Sequence, residues 1–437
     1  MQSLANAAAT GSGLRMQPPD SADPGRATAR SLRLMVVVPF PPRTDAMHGG
    51  RVVAQLLNRL VDRHRVAVLY MRHSNTPPID PTLAARCDVV EEVVRSDLRP
   101  GGSAWRRRLN VLSAPLSGVP SQVAPLFDRR FTRQCVRMAT SWKPDVVQVE
   151  HDHLAFCGPA LKRSHSGLAR VLSSHEPGAP ASEDQAAATR GRQRLAHRID
   201  AASWKRYWSR TLGAFDAVVT LTGRDRMVMA AAVPQARVVS IGLGIDIPRE
   251  PLSAAGRGEP YVAFVGGYQH PPNADAALRL ARSIMPAVRS RIPGLRLMLV
   301  GAHPGRELFD AATSEDTVTG AVPSVAPFVD SAALLALPIR LGGGMRVKLL
   351  EALAAGKAVV ASPLAASGLD VPDGEAIVLA QTDQEFVDAI VTLIGDEEAR
   401  IGLGRTAREW AQRNLTWDAR VGEYEQLYES LLAPRLR

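Results

Sequence analysis

The sequence predicts an α/β protein made of two doubly wound parallel sheets. Short continuous apolar runs of strand length alternate with amphipathic helical stretches, the pattern of buried parallel strands joined by crossover helices. The alternation breaks in a Pro-, Ser-, Gly- and charge-containing stretch at 248–260 and then restarts, as expected of two units joined by a linker. The polar and glycine clusters fall at strand ends, where open α/β sheets bind ligands.

In the first half, Arg33-Leu-Met-Val-Val-Val-Pro39 reads as the first strand. A loop ending in His48-Gly49-Gly50, a helix over 51–62 and a strand over 66–70 complete a βαβ unit. Residues 80–142 are less regular, with a strand at 89–94 and basic helical stretches at 105–109 and 127–138. These two stretches fit either a solvated helix face or contact with an anionic membrane. Strands follow at 144–150, 169–173, 215–220 and 237–241, with a long basic helix within 177–213. Glu150-His151 and His175-Glu176 stand at the ends of two of these strands. In the second half, strands are expected at 261–265, 295–300, 333–337 and 358–361, and helices at 274–289, 383–394, 397–414 and 417–432.

Composition narrows the partners. The 437 residues are 46% hydrophobic and 22% charged, as in a globular protein with ample core. A net charge of +10 favours polyanions: nucleic acid, anionic membrane or phosphorylated ligands. Aromatics are only 5% and are not interleaved with basic residues, so no nucleic-acid partner is expected. Cys87, Cys135 and Cys157 give neither a disulfide framework nor a zinc spacing, and a reducing cytoplasm is the simplest location. No apolar run reaches membrane-spanning length, and residues 1–31 read as a disordered leader without a secretory pattern.

The most informative stretch is Pro338-Ile-Arg-Leu-Gly-Gly-Gly-Met-Arg-Val-Lys-Leu-Leu-Glu351, continuing to Gly356. It reads as a strand end, a glycine turn at Gly342, Gly343 and Gly344, and a helix from about Met345. Unpaired helix N–H groups and the positive dipole end would face that turn, which makes it an anion site. Arg346 and Lys348 add cations, and Glu351 can accept hydrogen bonds from a diol. That set suits a nucleoside diphosphate, although Arg346 and Lys348 also fit a solvated helix face. A phosphate-binding Walker loop does not fit, because Glu351 stands where its first Gly belongs and Ala358 replaces its Ser/Thr.

Residues 261–373 resemble the donor domain of GT-B glycosyltransferases of the GT4, or group 1, type. The resemblance rests on Phe264-Val-Gly-Gly-Tyr-Gln-His-Pro-Pro-Asn273, Leu299-Val-Gly301, Val318-Thr-Gly320, the 338–356 stretch, Val359-Val-Ala-Ser-Pro363 and Gly368-Leu-Asp-Val-Pro-Asp-Gly374. It is weaker over 33–250 and returns in the last helix, through Trp417, Tyr424 and Tyr428. It implies two facing Rossmann-like domains and an interdomain cleft. The first, acceptor-binding, would span 32–250 and the second, donor-binding, 251–412, with 413–437 crossing back to the first.

The resemblance also implies retaining transfer from a nucleoside diphosphate sugar, used as co-substrate without a metal or cofactor, to a glycan or lipid-linked acceptor in cell-surface polysaccharide or glycoconjugate synthesis. Glu351 would hold the ribose. Gly266, Gly267, Gly342, Gly343, Gly344 and Met345 would line the donor, and Arg346 and Lys348 would neutralise its diphosphate. Gly343 stands where the family's first Glu is usual, as in a subgroup with a Gly-Gly-Gly turn, so the contacts to the sugar hydroxyls stay open. On the acceptor side Glu150 and His151 are the catalytic candidates, and His48, Gly49, Gly50, His175 and Glu176 are further candidates. The basic first half favours a phosphorylated or membrane-borne acceptor and peripheral contact with the inner membrane face. Two other readings stay open: a nucleotide-sugar-binding protein without turnover, and a nucleotide-sugar epimerase.

Overall fold

In the computed structural model, residues 31–45, 49–95, 118–342 and 345–433 are described. His48, Gly343, Gly344, the 105–109 stretch and the leader up to residue 30 lie outside them.

β1 (Arg33–Val38), β2 (Arg65–His73), β3 (Val89–Arg95), β4 (Val146–Glu150), β5 (Ala169–Ser174), β6 (Ala217–Thr220) and β7 (Val238–Ser240) form one sheet in the order β3-β2-β1-β4-β5-β6-β7. β8 (Tyr261–Val265), β9 (Arg296–Val300), β10 (Asp316–Val318), β11 (Leu334–Leu337), β12 (Val359–Ala361) and β13 (Val378–Leu379) form a second, in the order β10-β9-β8-β11-β12-β13. Every pairing in both sheets is parallel. Each order reverses beside its first strand, which puts a crevice at the β1/β4 and β8/β11 ends. These are two Rossmann-like domains of the GT-B fold.

β4 and β5 are buried at every position, as in a parallel sheet covered on both faces, and their polar residues Gln148, Glu150 and Arg170 are hydrogen-bonded within the protein. The helix Gly49–Leu60 buries Val52, Val53, Leu56, Leu57 and Leu60 on one stripe against the first sheet. The helix expected over 274–289 is not a single α-helix. It runs Pro271–Arg279, passes through a π turn at Leu280–Ile284 and resumes over Met285–Arg289. Pro286 has no N–H to donate back into the preceding turn, and the chain absorbs that loss by widening.

The linker lies on the second domain. The Lys357 ammonium is fully buried and donates to the carbonyls of Ser253, Asp330 and Ala332, so its three donors meet three acceptors. Burial pushes it down to about 8. Arg408 donates to the carbonyls of Pro248 and Arg249.

The helix Trp417–Leu432 packs on the first domain. Arg63 pairs with Asp418 at 2.6 Å and with Glu425 at 3.2 Å. The Tyr428 hydroxyl donates to Gln148 on β4, and the Tyr424 hydroxyl lies 3.4 Å from the Ser173 hydroxyl on β5. Among the described residues no helix is long and apolar enough to cross a membrane.

Candidate active site

The residues that follow β1, β5, β6 and β7 meet those that follow β8 and β11, so the carboxyl edges of the two sheets face one another. Gly342, the first residue of the glycine turn, takes part in this contact. Gly342 has φ +88°, a backbone state costly for other residues. Its N–H donates to Asp184 at 3.1 Å, and its carbonyl accepts from Arg224 at 3.4 Å. Asp184 lies on the helix Gly178–Ala188 and Arg224 on the helix Gly223–Ala232, both in the first domain.

The helix after the turn spans Val347–Ala354, two residues later than the sequence predicts. Arg346 is extended (φ −89°, ψ 90°) and caps the helix, with its guanidinium donating to the Leu341 carbonyl at 3.0 Å. Met345 is therefore loop, and its sulfur accepts from the Leu243 N–H at 3.4 Å, packing against the first domain. Neither Arg346 nor Lys348 is part of a solvated helix face. Arg346 is 9% exposed. Burial lowers its pKa, and Glu176, Asp225 and Asp184 around it oppose that shift.

Lys348 is the sharper feature. Its ammonium donates to Asn273 Oδ1 and lies 4.9 Å from the Phe264 ring centroid. A Cβ at Gly266 would stand 3.0 Å from the Lys348 nitrogen, so this glycine is what admits the amine to the end of β8. Burial, helped by the Arg346 charge, pushes Lys348 down to about 7. Asn273 is fixed in turn by donating to the Gly267 carbonyl at 2.9 Å. Lys348 and Glu351 share a helix face three residues apart. Burial raises the Glu351 carboxyl, and Arg51 and Lys348 pull it back. Arg51 comes from the other domain and forms an ion pair with Glu351.

On the acceptor side the structure corrects the role expected of Glu150. It is fully buried, with one oxygen accepting from Gln148 and the other 2.6 Å from His175 Nε2. Its carboxylate is closed to solvent, with Gln148 and His175 as its partners. The cause is the last helix, whose Tyr424 and Tyr428 cover the ends of β4 and β5.

His151 stacks on His175 with centroids 4.0 Å apart and meets Phe40 edge-on at 5.0 Å. Burial, then the His175 and His153 charges, drive its pKa well below the usual imidazole range, so it is neutral. Its φ of +67° is strained backbone for a non-glycine residue. Gly49 opens its helix beside His151, and a Cβ there would lie 3.0 Å from His151 Nε2. Gly50 is buried in the same first turn. Glu176 points to the other domain, 4.0 Å from His270 Nε2. Among the described residues no group of three or more His, Cys, Asp or Glu side chains is placed to hold a metal ion.

The sequence reading missed Arg51, Asp184 and Arg224. Arg51 directly follows Gly49-Gly50, but its partner lies 300 residues away, a pairing with no local signal. The helix carrying Arg224 did have one. Thr222 and Asp225 form an N-cap, with the Asp225 N–H donating to the Thr222 hydroxyl at 3.0 Å.

Comparison with known proteins agrees with this architecture. Residues 49–249 match the family described as Glycosyltransferase Family 4, and residues 259–396 match Glycosyl transferases group 1. An uncharacterized glycosyltransferase of Methanocaldococcus jannaschii is 33% identical over 93 residues, 21% of this chain and 24% of that protein. A phosphatidyl-myo-inositol mannosyltransferase of Mycolicibacterium smegmatis is 29% identical over 177 residues, 39% of this chain and 45% of that protein. The chain thus matches less than half the length of these curated relatives. Among solved structures, the sucrose-phosphate synthase of Thermosynechococcus elongatus superposes with a TM-score of 0.66 at 18% identity, covering 92% of this chain and 100% of that one. Two facing parallel sheets give this chain the GT-B fold, and a glycosyltransferase family model matches on each side of the linker.

Proposed function

We propose that this chain transfers a sugar, with retention, from a nucleoside diphosphate sugar to a glycan or lipid-linked acceptor. The observation that carries the reading is the Lys348 ammonium, buried at the end of β8 beside Gly266 and on the same helix as Glu351. A buried amine whose proton comes off near neutrality is a site that favours an arriving anion.

In this reading Glu351 accepts from the ribose hydroxyls. Lys348, the Gly342–Gly344 turn and the helix N-terminus hold the diphosphate, with Gly266 and Gly267 against it. The bond from the anomeric carbon to the phosphate oxygen breaks, and the nucleoside diphosphate leaves with the electron pair. The acceptor oxygen bonds to that carbon from the same face and gives its proton to the departing phosphate. Fixed positive charge at the leaving group lowers this barrier, and neither a protein nucleophile nor a metal takes part. His175, held by Glu150, and His151 form the acceptor side.

The name of the mannosyltransferase relative supports a lipid-linked acceptor. So do the exposed Arg129, Arg130, Arg133 and Arg137 on one helix and Arg192, Arg194 and Arg198 on another, which suit an anionic membrane face. Sedimentation with anionic vesicles should show binding that salt weakens, and no binding at low salt would remove the membrane from this reading.

The test of the donor site is a panel of nucleoside diphosphate sugars, read by thermal shift and by slow release of the free diphosphate. One donor should stabilise the chain and be hydrolysed. Glu351→Ala should lose about ten- to a hundred-fold in donor affinity through the missing charged hydrogen bonds. Stabilisation without hydrolysis or transfer to any acceptor would favour a binding protein. Conversion of the donor to an epimer would favour an epimerase.

A further inference from the structure

The donor side of the cleft is already engaged by the first domain. Arg51, in the first turn of the helix Gly49–Leu60, forms its ion pair with the carboxylate assigned above to the ribose. The two side chains remain 36% and 40% exposed, so a ligand can reach and compete for the pair. The inference drawn from this contact rests on the donor-site reading.

Of the second domain's two candidate cations, Arg346 already faces three carboxylates. It is bracketed by Glu176, Asp184 and Asp225, and one of its nitrogens donates to the Leu341 carbonyl. Lys348 supplies a single charge, which burial pushes down to about 7 in the free chain. Arg51 stands at the same cleft on the turn that follows Gly49 and Gly50, and its present partner is the group a ribose would occupy.

We propose that Arg51 is a donor-binding residue that exchanges partners. The ribose diol displaces its guanidinium from Glu351, and the freed guanidinium turns onto the diphosphate. The exchange is chemically matched. Glu351 trades N–H donors for two O–H donors, and the planar guanidinium trades one carboxylate for a more highly charged oxyanion that it grips with two bonds. Because Arg51 belongs to the first domain and Glu351 to the second, the same exchange makes the cleft contact depend on the donor.

The experiment measures the affinities of UDP, GDP, uridine and guanosine for the wild-type chain, Arg51→Gln and Arg51→Lys by calorimetry. For the diphosphate that binds, Arg51→Gln should weaken affinity by about ten-fold or more, as expected for a lost charge-assisted hydrogen bond. For the matching nucleoside it should leave affinity unchanged or improve it, because Glu351 is no longer occupied. Arg51→Lys should recover part of the diphosphate affinity, through its charge but without the two-bond grip. Equal losses for diphosphate and nucleoside would mean that Arg51 only holds the domains together, and would overturn the proposal. So would diphosphate affinity unchanged by Arg51→Gln. A wild-type chain that binds neither diphosphate overturns the donor-site reading itself, and the Arg51 proposal with it.

Discussion

Lys348→Met is expected to lower donor turnover by about 10²- to 10³-fold, the usual cost of removing one fixed donor to a charge that develops in the transition state. Methionine keeps the unbranched stem beside Phe264 and deletes the charge together with the bond to Asn273, so a loss of turnover reports on the polar head rather than on packing. The same residue makes donor binding depend on pH with a defined sign. Burial, with Arg346 nearby, holds the free ammonium down to about 7. A diphosphate favours the charged amine and raises that value, so the complex takes up a proton above pH 7. Donor affinity is then greatest below pH 7 and falls as pH rises, by up to about ten-fold per unit, until the pKa of the complex is reached. Dissociation constants from pH 6 to 9 would show this slope in the wild type and its loss in Lys348→Met. A flat wild-type profile, or a variant that keeps the slope, would remove Lys348 from the diphosphate.

The parts of this site that the sequence made legible are those built locally. The parallel strands announce themselves as unbroken apolar runs, and a glycine turn before a helix bearing Lys348 and Glu351 already implies an anion beside a diol. The missing parts depend on distance along the chain. Glu150 reads as a reactive carboxylate at a strand end, yet it is sealed by a helix that begins at Trp417. Arg346 reads as a free cation, yet its neighbours Glu176, Asp184 and Asp225 come from the opposite domain. The helix start shifts from Met345 to Val347 because Met345 packs against Leu243 and Arg346 is drawn to the Leu341 carbonyl. The short strands β10 and β13 were missed for a related reason. With three and two residues they carry no periodicity of their own, and they form only because a neighbouring strand offers its free edge.

Asp152→Asn is expected to stabilise the chain, and only at higher pH. Asp152 is fully buried between His151 and His153, and burial pushes its carboxyl up to about 7. The Trp208 indole, the Gly178 amide and the Ser174 hydroxyl approach it, but no hydrogen bond to either carboxyl oxygen forms. The folded chain therefore favours the neutral acid. Below about pH 4 the acid is protonated whether folded or not and costs nothing. From pH 4 to 7 the folded chain holds a proton that the unfolded chain has released, so stability falls with pH by about 1.4 kcal/mol per unit. Above pH 7 the penalty is constant, at most about 4 kcal/mol. His153, pushed down to about 4 by burial, and His151, also lowered by burial, tilt the wild-type profile the other way below pH 6.5, because each must stay neutral to remain buried. The wild-type curve alone thus mixes opposing slopes, and the difference between wild type and Asp152→Asn isolates the carboxyl. Urea unfolding at pH 4.5, 6 and 8 should show that difference near zero at the lowest pH and growing to several kcal/mol at the highest. A variant equally destabilised at every pH would show instead that Asp152 is a hydrogen-bond acceptor the fold requires.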